Sequence, residues 1–309
     1  MENLKLALIG DIHGFWDRKD NEYFDRSDYD ALLLTGDFPG YLPFSGRTVT
    51  RGIAKLNKTV YWIPGNHDST NVVQLLGEIL HSKWMIRTGS IGHQFRLTCL
   101  QRRMGDTVCL GYSATDLDSK TVLVGARPFS MGGPLSFLPL LKKVYGVSSM
   151  KESFEKMKSL YPKIQGKDCI VLAHNGPAGY GSKRDDIWGC DFRKKGGDWG
   201  DGDLRRFLDF LKEKGEKVSL ILAGHMHRKI RDLNRDRTWK VSENSSHTIN
   251  AAKVPRIFKT KEGNLYRHHI RLERKNGIWD CQEIFVAEKG EERISLPEDE
   301  EFLFSSDTF

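Results

Sequence analysis

Thr59-Val60-Tyr61-Trp62-Ile63-Pro64-Gly65-Asn66-His67-Asp68 decides the architecture. An apolar run as long as a buried strand stops abruptly, and a glycine, an amide, an imidazole and a carboxylate follow at once. The arrangement recurs along the chain. Leu4 to Ile9 runs into Gly10-Asp11-Ile12-His13, and Ala31 to Leu34 into Gly36-Asp37. Cys169 to Ala173 runs into His174-Asn175, and Ser219 to Ala223 into Gly224-His225-Met226-His227. Val122 to Gly125 reads as a further strand. Helical patterns lie between them. Ser149-Met150-Lys151-Glu152 has capping-box spacing and opens a helix to about Leu160. Asp203 is placed to cap a helix over Leu204 to Lys214, with Leu204, Phe207, Leu208 and Leu211 on one face. Strands alternating with helices predict an α/β fold.

In an open α/β sheet, ligands bind beyond the carboxyl ends of the strands. Asp11, His13, Asp37, Asn66, His67, His174, His225 and His227 can therefore converge on one place. Carboxylate, amide and imidazole without thiolate suit Mn, Fe, Zn or similar divalent ions. Each cluster alone is weak, since a lone His after a strand is more often a satisfied structural residue than a ligand. The five clusters in this order make a joint signal that chance does not explain.

The order DxH, GD, GNHD, H, GHxH resembles the calcineurin-like metallophosphoesterase superfamily, from Asp11 to His227 and on through Thr248-Ile249-Asn250-Ala251 to Arg256. The resemblance implies a four-layer α/β/β/α metallophosphoesterase sandwich of two mixed sheets with flanking helices. It also implies two divalent metal ions, with Mn first and Fe, Zn, Mg or Ni as alternatives. One would be held by Asp11, His13, Asp37 and His227, the other by Asp37, Asn66, His174 and His225, so that Asp37 bridges them. Two oxygens on one carboxylate suit that role. Two ions about 3.5–4 Å apart clamp the attacking and leaving oxygens of an in-line displacement, and the hydroxide they hold is the nucleophile. His67 resembles the family's general acid. Asp68 is the other candidate catalytic residue; it either orients His67 or caps the local backbone. Protein Ser/Thr phosphatases carry GDxxDRG, but here Gly36-Asp37-Phe38-Pro39-Gly40 puts glycine where their second carboxylate stands. This argues against a close relative of those enzymes and leaves phosphodiesterases and small-molecule phosphatases ahead. His174 to Gly179 and Gly196 to Leu204 resemble a subfamily of phosphoesterases from photosynthetic organisms.

Other residues carry smaller weight. Arg127 could hold a phosphate bidentately, or form a salt bridge; Arg256 is a weaker candidate of the same kind. His81, His93, His247, His268 and His269 fall outside the motifs and read as structural or exposed. Substrate choice is expected to reside in residues 38–51, 81–126 and 180–201. The last of these holds Trp188, Trp199, Arg184, Arg193, Lys194 and Lys195, which could stack a base and hold a phosphate, although a glycine-rich loop with structural tryptophans is the simpler reading.

The C-terminal part has a different character. Leu265 to Glu273 and Ile278 to Val286 flank Lys275-Asn276-Gly277, a hairpin signal. Residues 1–287 read as one domain and 288–309 as an acidic flexible tail with Pro297, Phe302, Phe304 and Phe309. The whole chain of 309 residues carries a net charge of +7. The tail contributes eight acidic and two basic residues, −6 in all, so the body carries +13. A basic body is suited to attract phosphorylated substrates or nucleic acid, and equally serves solubility alone. The expected partner is a phosphorylated small molecule, with nucleic acid an alternative and no membrane. Five scattered cysteines without a C-x-x-C pair argue against a disulfide framework or a thiolate zinc site. No signal peptide is recognised, and a cytoplasmic location is expected, with a plastid stroma as the variant. The expected function is hydrolysis of a phosphate mono- or diester of a small molecule or nucleotide. A nuclease is the first alternative, and a metal-binding scaffold without catalysis the second.

Overall fold

In the computed structural model, residues 3–40, 45–230, 235–296 and 302–303 are described. Two large mixed sheets lie face to face. The first contains Leu4–Ile9, Ala31–Leu34, Thr59–Trp62 and Val108–Cys109 in parallel, continued on the other side of Leu4–Ile9 by the antiparallel pair Leu265–Lys275 and Ile278–Ala287. The second contains Thr121–Gly125, Asp168–Leu172, Val218–Ala223 and Ser246–Asn250 in parallel, flanked by the antiparallel strands Ser113–Asp118 and Lys240–Glu243. All the strands that precede a polar cluster belong to these two parallel blocks.

Three apolar layers account for the four structural layers. Between the sheets, Leu6, Leu8, Leu33, Ile270 and Leu272 from the first pack on Leu123, Ile170, Leu172, Leu220 and Ile249 from the second. Outside the first sheet, Ala7, Ile9, Leu32 and Leu34 meet Phe24, Val49, Ile53 and Leu100 from helices. Outside the second, Val122, Val124 and Val171 meet Leu140, Met157, Leu204, Phe207 and Leu211. Strands buried on both faces read as unbroken apolar runs because neither face meets water. The expected α/β/β/α sandwich is the observed architecture.

Local signals translate directly in places. Ser149 accepts from Glu152 N at the start of helix Met150–Lys158. Lys275 pairs with Ile278 across Asn276-Gly277, both at positive φ (53° and 80°), as a two-residue hairpin turn with primed geometry requires. Asp203 departs from expectation. The helix runs Gly202–Glu213 with Asp201 at the N-cap position, and Asp203 is buried inside the first turn, paired with Arg127. The C-terminal segment read as a tail pairs twice with the first sheet: Glu292–Arg293 against Ile278–Ala287, and Phe302–Leu303 against Ile257–Thr260. Pro297, Phe304 and Phe309 lie outside the described residues. The five cysteines are free. Among the described residues, no helix is long and apolar enough to cross a membrane.

Candidate metal centre

The clusters meet at the carboxyl ends of the two parallel blocks. Backbone hydrogen bonds lace the first two loops together: His13 N donates to Asp37 O at 2.7 Å and Gly14 N to Phe38 O at 2.9 Å. The convergence strains the backbone. Asp11, His13, Asp37 and His225 all adopt positive φ, at 31°, 43°, 52° and 65°. Such conformations cost of order 1–3 kcal/mol each and persist where the surroundings over-determine them. Glycines provide the room. A Cβ on Gly65 would strike the Asp37 carboxylate and the His174 ring, and one on Gly224 would strike Asp11 and Thr35.

Two groups of ligand atoms result, Asp11 with His13 and His227, and Asp37 with His174 and His225; within each the atoms lie within 4.8 Å of one another. Asp37 links them, since its Oδ2 is 3.6 Å from His13 Nε2 and 3.7 Å from His174 Nε2. Asn66 Oδ1 joins the second group at 2.8 Å from His174 Nε2. In the first, Nε2 of His13 and Nε2 of His227 are 3.1 Å apart, and His227 Nε2 is 3.5 Å from Asp11 Oδ2. Nitrogen and oxygen donors packed this closely and mostly out of water fit divalent cations, so the residues suit the metals the sequence suggests.

Backbone carbonyls hold the imidazoles. His174 Nδ1 lies 2.6 Å from Thr35 O, His13 Nδ1 3.3 Å from Pro39 O, and His225 Nε2 3.1 Å from Met131 O. Each carbonyl takes one ring nitrogen and leaves the other for an ion. Thr35 does more: its Oγ1 donates to Asp11 Oδ1 at 3.2 Å and accepts from Asp11 N at the same distance. Asp11 also accepts from His225 N, at 3.0 and 2.9 Å through its two oxygens. Sequence reading missed Thr35 and Met131. The place of Thr35, between a strand and Gly-Asp, was a usable signal, whereas a backbone acceptor such as Met131 leaves no residue-type signature.

Electrostatics follow from this crowding. Burial would raise the Asp11 carboxyl, but His227, His174 and His13 hold it well below the carboxylate range. Burial likewise opposes ionisation of Asp37, and His174, His67 and His13 outweigh it, so its pKa is lowered. Burial, helped by His174, pushes His225 down to about 3, keeping it neutral, as ligation requires. Burial alone would lower His174 too, but Asp37 and Asp11 raise it.

Two expectations are corrected. Asp68 does not orient His67. Its Oδ2 accepts from Gly65 N and Asp37 N, both at 2.8 Å, and its Oδ1 from Phe38 N at 2.9 Å. It ties the second and third loops together as a backbone cap, and burial together with Asp37 raises its pKa to about 7. Arg127 is not open to a phosphate. It is buried, with Asp201 Oδ1 2.8 Å from Nη2 and Asp203 Oδ2 2.9 Å from Nε. Arg256 is similarly engaged by Asp20 Oδ1 at 2.8 Å. His67 is half-buried, its ring centroid 5.2 Å from that of His13 and its backbone N donating to Asp37 Oδ1 at 2.8 Å. Four of the five histidines set aside have other partners: His268 bonds Glu283, His269 bonds Tyr29, His93 bonds Ser69 and His247 bonds Ser242; the fifth, His81, lines the cleft beside the centre.

A cleft of about 610 Å³ opens beside the centre, lined by His225 and His227 and by residues from 78–81, 131–136 and 191–199. Of the segments expected to choose substrate, 180–201 contributes most; 131–136 was not anticipated.

The sequence matches the calcineurin-like phosphoesterase family over residues 4–229. No curated protein is significantly similar to it. One solved crystal structure superposes with a TM-score of 0.51 at 10% identity, covering 91% of this chain and 99% of its own. Protein TT1561 of Thermus thermophilus has a TM-score of 0.48 at 11% identity, covering 91% and 98%. A metallophosphoesterase from Sphaerobacter thermophilus has a TM-score of 0.37 at 13% identity, covering 91% and 88%.

Proposed function

The chain belongs to the calcineurin-like phosphoesterase family, a family of metal-dependent enzymes, and from that premise we propose that it hydrolyses phosphate esters with two divalent ions. Asp11, His13, Asp37 and His227 would hold one, and Asp37, Asn66, His174 and His225 would hold the other. The observation that supports this most is the place of Asp37 Oδ2, nearly equidistant from His13 Nε2 (3.6 Å) and His174 Nε2 (3.7 Å). The mixed set of carboxylate, amide and imidazole donors accepts Mn, Fe, Zn or Ni; Mn, which the family resemblance puts first, is the metal to test, with Fe, Zn, Mg or Ni as substitutes. Such ions supply an activated water and positive charge for the phosphoryl oxygens.

The chain's own residues do the rest. Thr35, Pro39 and Met131 fix the imidazoles, so the ligands are positioned before substrate arrives. His67 protonates the leaving oxygen; its ring sits beside His13 with no part in either ligand set. The substrate is a phosphorylated small molecule, mono- or diester, that enters through the cleft beside His225 and His227.

The test uses metal-stripped protein resupplied with Mn, on bis-p-nitrophenyl phosphate and p-nitrophenyl phosphate side by side. Metal-dependent hydrolysis by the wild type, abolished in Asp37→Asn and reduced about 10²- to 10⁴-fold in His67→Ala, is expected. Hydrolysis that survives in Asp37→Asn would refute the shared-ligand assignment.

A further inference from the structure

Beyond the metal ligands, the cleft has a built aromatic wall. The loop that carries it is held by its own backbone: Cys190 N donates to Gly197 O at 2.8 Å and Trp199 N to Trp188 O at 2.9 Å. Trp188 is fully buried and serves as the anchor. Trp199 Nε1 donates to Met131 O at 2.7 Å, the same carbonyl that contacts His225, so the ring has a set place relative to the centre. The Arg193 guanidinium lies 4.6 Å from the Trp199 ring centroid. Phe192 meets Trp199 edge-on, with centroids 5.0 Å apart and planes at 90°, and remains 64% exposed. An exposed phenyl ring braced by a fixed indole offers an uncovered π-face beside a phosphate-handling centre.

The charges in the cleft speak to what lies beyond the phosphate. Among the described residues that line it, Arg193 is the one Lys or Arg, while Glu78 and Asp191 are acidic. Asp191 is already matched by Arg237, whose Nη2 lies 3.6 Å from its Oδ2, so Arg193 is the one cation of the lining left to meet a further phosphate, and a run of several would find few partners there. Glu78 Oε1 accepts from Phe137 N at 2.9 Å, which orients the carboxyl in the cleft wall. Burial raises its pKa to about 7, so near neutrality the group both donates and accepts hydrogen bonds.

We propose that this cleft is a nucleoside subsite: Phe192, backed by Trp199 and Arg193, stacks a nucleobase, and Glu78 meets the base's hydrogen-bonding edge. The substrate class is then a nucleotide with a single phosphoester at the metals. The inference deepens the phosphoesterase reading and rests on it for the fate of the ester, while binding of the nucleoside moiety is independent of hydrolysis.

The experiment measures binding of adenosine, which carries no phosphate, by calorimetry to the wild type, Phe192→Ala and Glu78→Gln. Hydrolysis of adenosine monophosphates and of glycerol phosphate by the Mn-loaded wild type is followed in parallel. Adenosine is expected to bind the wild type, and about 5- to 150-fold more weakly to Phe192→Ala, the range of one base–aromatic stack. A smaller loss is expected in Glu78→Gln. Phe192 is exposed, so its removal leaves the fold intact, and an unchanged melting curve verifies this. Equal affinity in wild type and Phe192→Ala overturns the subsite. So does the absence of adenosine binding in a protein that hydrolyses glycerol phosphate, which would leave the phosphoesterase reading standing. Adenosine binding that depends on Phe192, in a protein that hydrolyses no ester, would sustain the subsite and remove the phosphoesterase reading instead.

Discussion

Single residues here act through what they exclude as much as through what they touch. Gly65 is an example: a methyl group at that position overlaps both Asp37 and His174. Gly65→Ala is expected to lose bound metal, measured by elemental analysis after gel filtration in Mn, while keeping its far-UV circular dichroism. Retention of full stoichiometry would show that the loop can yield. Asp68 makes the complementary case. Removing its carboxylate strands the backbone amides of Asp37, Phe38 and Gly65 in a buried setting. Each unpaired buried donor costs about 1–3 kcal/mol, so Asp68→Ala is expected to lower stability by about 3 kcal/mol or more in urea titration. A purely catalytic role for Asp68 would leave that midpoint unchanged.

At the scale of elements, the buried Arg127 joins the strand Thr121–Gly125 to the start of helix Gly202–Glu213. Asp201 and Asp203 face it, Ser153 donates to Asp203 Oδ2, the same oxygen that faces Arg127 Nε, and Ser130 Oγ donates to Asp201 at 2.7 Å. The glycine-rich loop that builds the cleft wall ends at this helix, so the ion cluster anchors the wall as well. Taking away the cation leaves two carboxylates buried without a counter-charge. Arg127→Met is expected to destabilise the protein by about 3–5 kcal/mol by denaturant midpoint, with metal stoichiometry unchanged. If the midpoint held and phosphate affinity fell instead, the guanidinium would be a substrate ligand after all.

For the whole molecule, acidity and metal content set the working range. His93 and His268 are buried, and their pKa values are lowered to about 3 and about 4, chiefly by burial. Both are neutral in the folded state where unfolded histidine, near 6.5, begins to take up protons. The unfolded chain therefore binds more protons between about pH 6.5 and 4, and stability falls as pH drops through that window. Glu283, held below its ordinary range against burial by His268 and Arg228, acts in the same direction at the acid end. Asp68 and Glu78, whose carboxyls burial raises to about 7, act in the opposite direction over the same range. The imidazole contribution is therefore read by difference: denaturant midpoints in EDTA at pH 7.5, 6 and 5 are expected to decline more steeply in the wild type than in His93→Gln, and parallel series would contradict a buried neutral His93. Adding Mn at a hundredfold excess over its dissociation constant should raise stability at pH 7.5 by about 2.7 kcal/mol for each site filled, if only the folded chain binds it. A melting temperature indifferent to Mn would argue against the metal centre.

Much of this was legible in the chain. Strands buried on both faces announce themselves as continuous apolar runs, and the polar residues just after them fall at the sheet's carboxyl edge whatever the topology. The family order of Asp11 to His227 and the Asn276-Gly277 turn are local patterns of the same kind. What sequence could not assign was decided by contacts between distant segments. Arg127 and Asp68 have residue types equally suited to substrate or catalysis. Their roles follow from Asp201 and Asp203, more than 70 residues away, and from the amides of Asp37 and Phe38, about 30 residues away. The cleft is likewise built from segments near 78, 131 and 192 that share no pattern. Period and turn chemistry are properties of neighbours along the chain. Burial and partnership exist only once the two sheets have closed on each other.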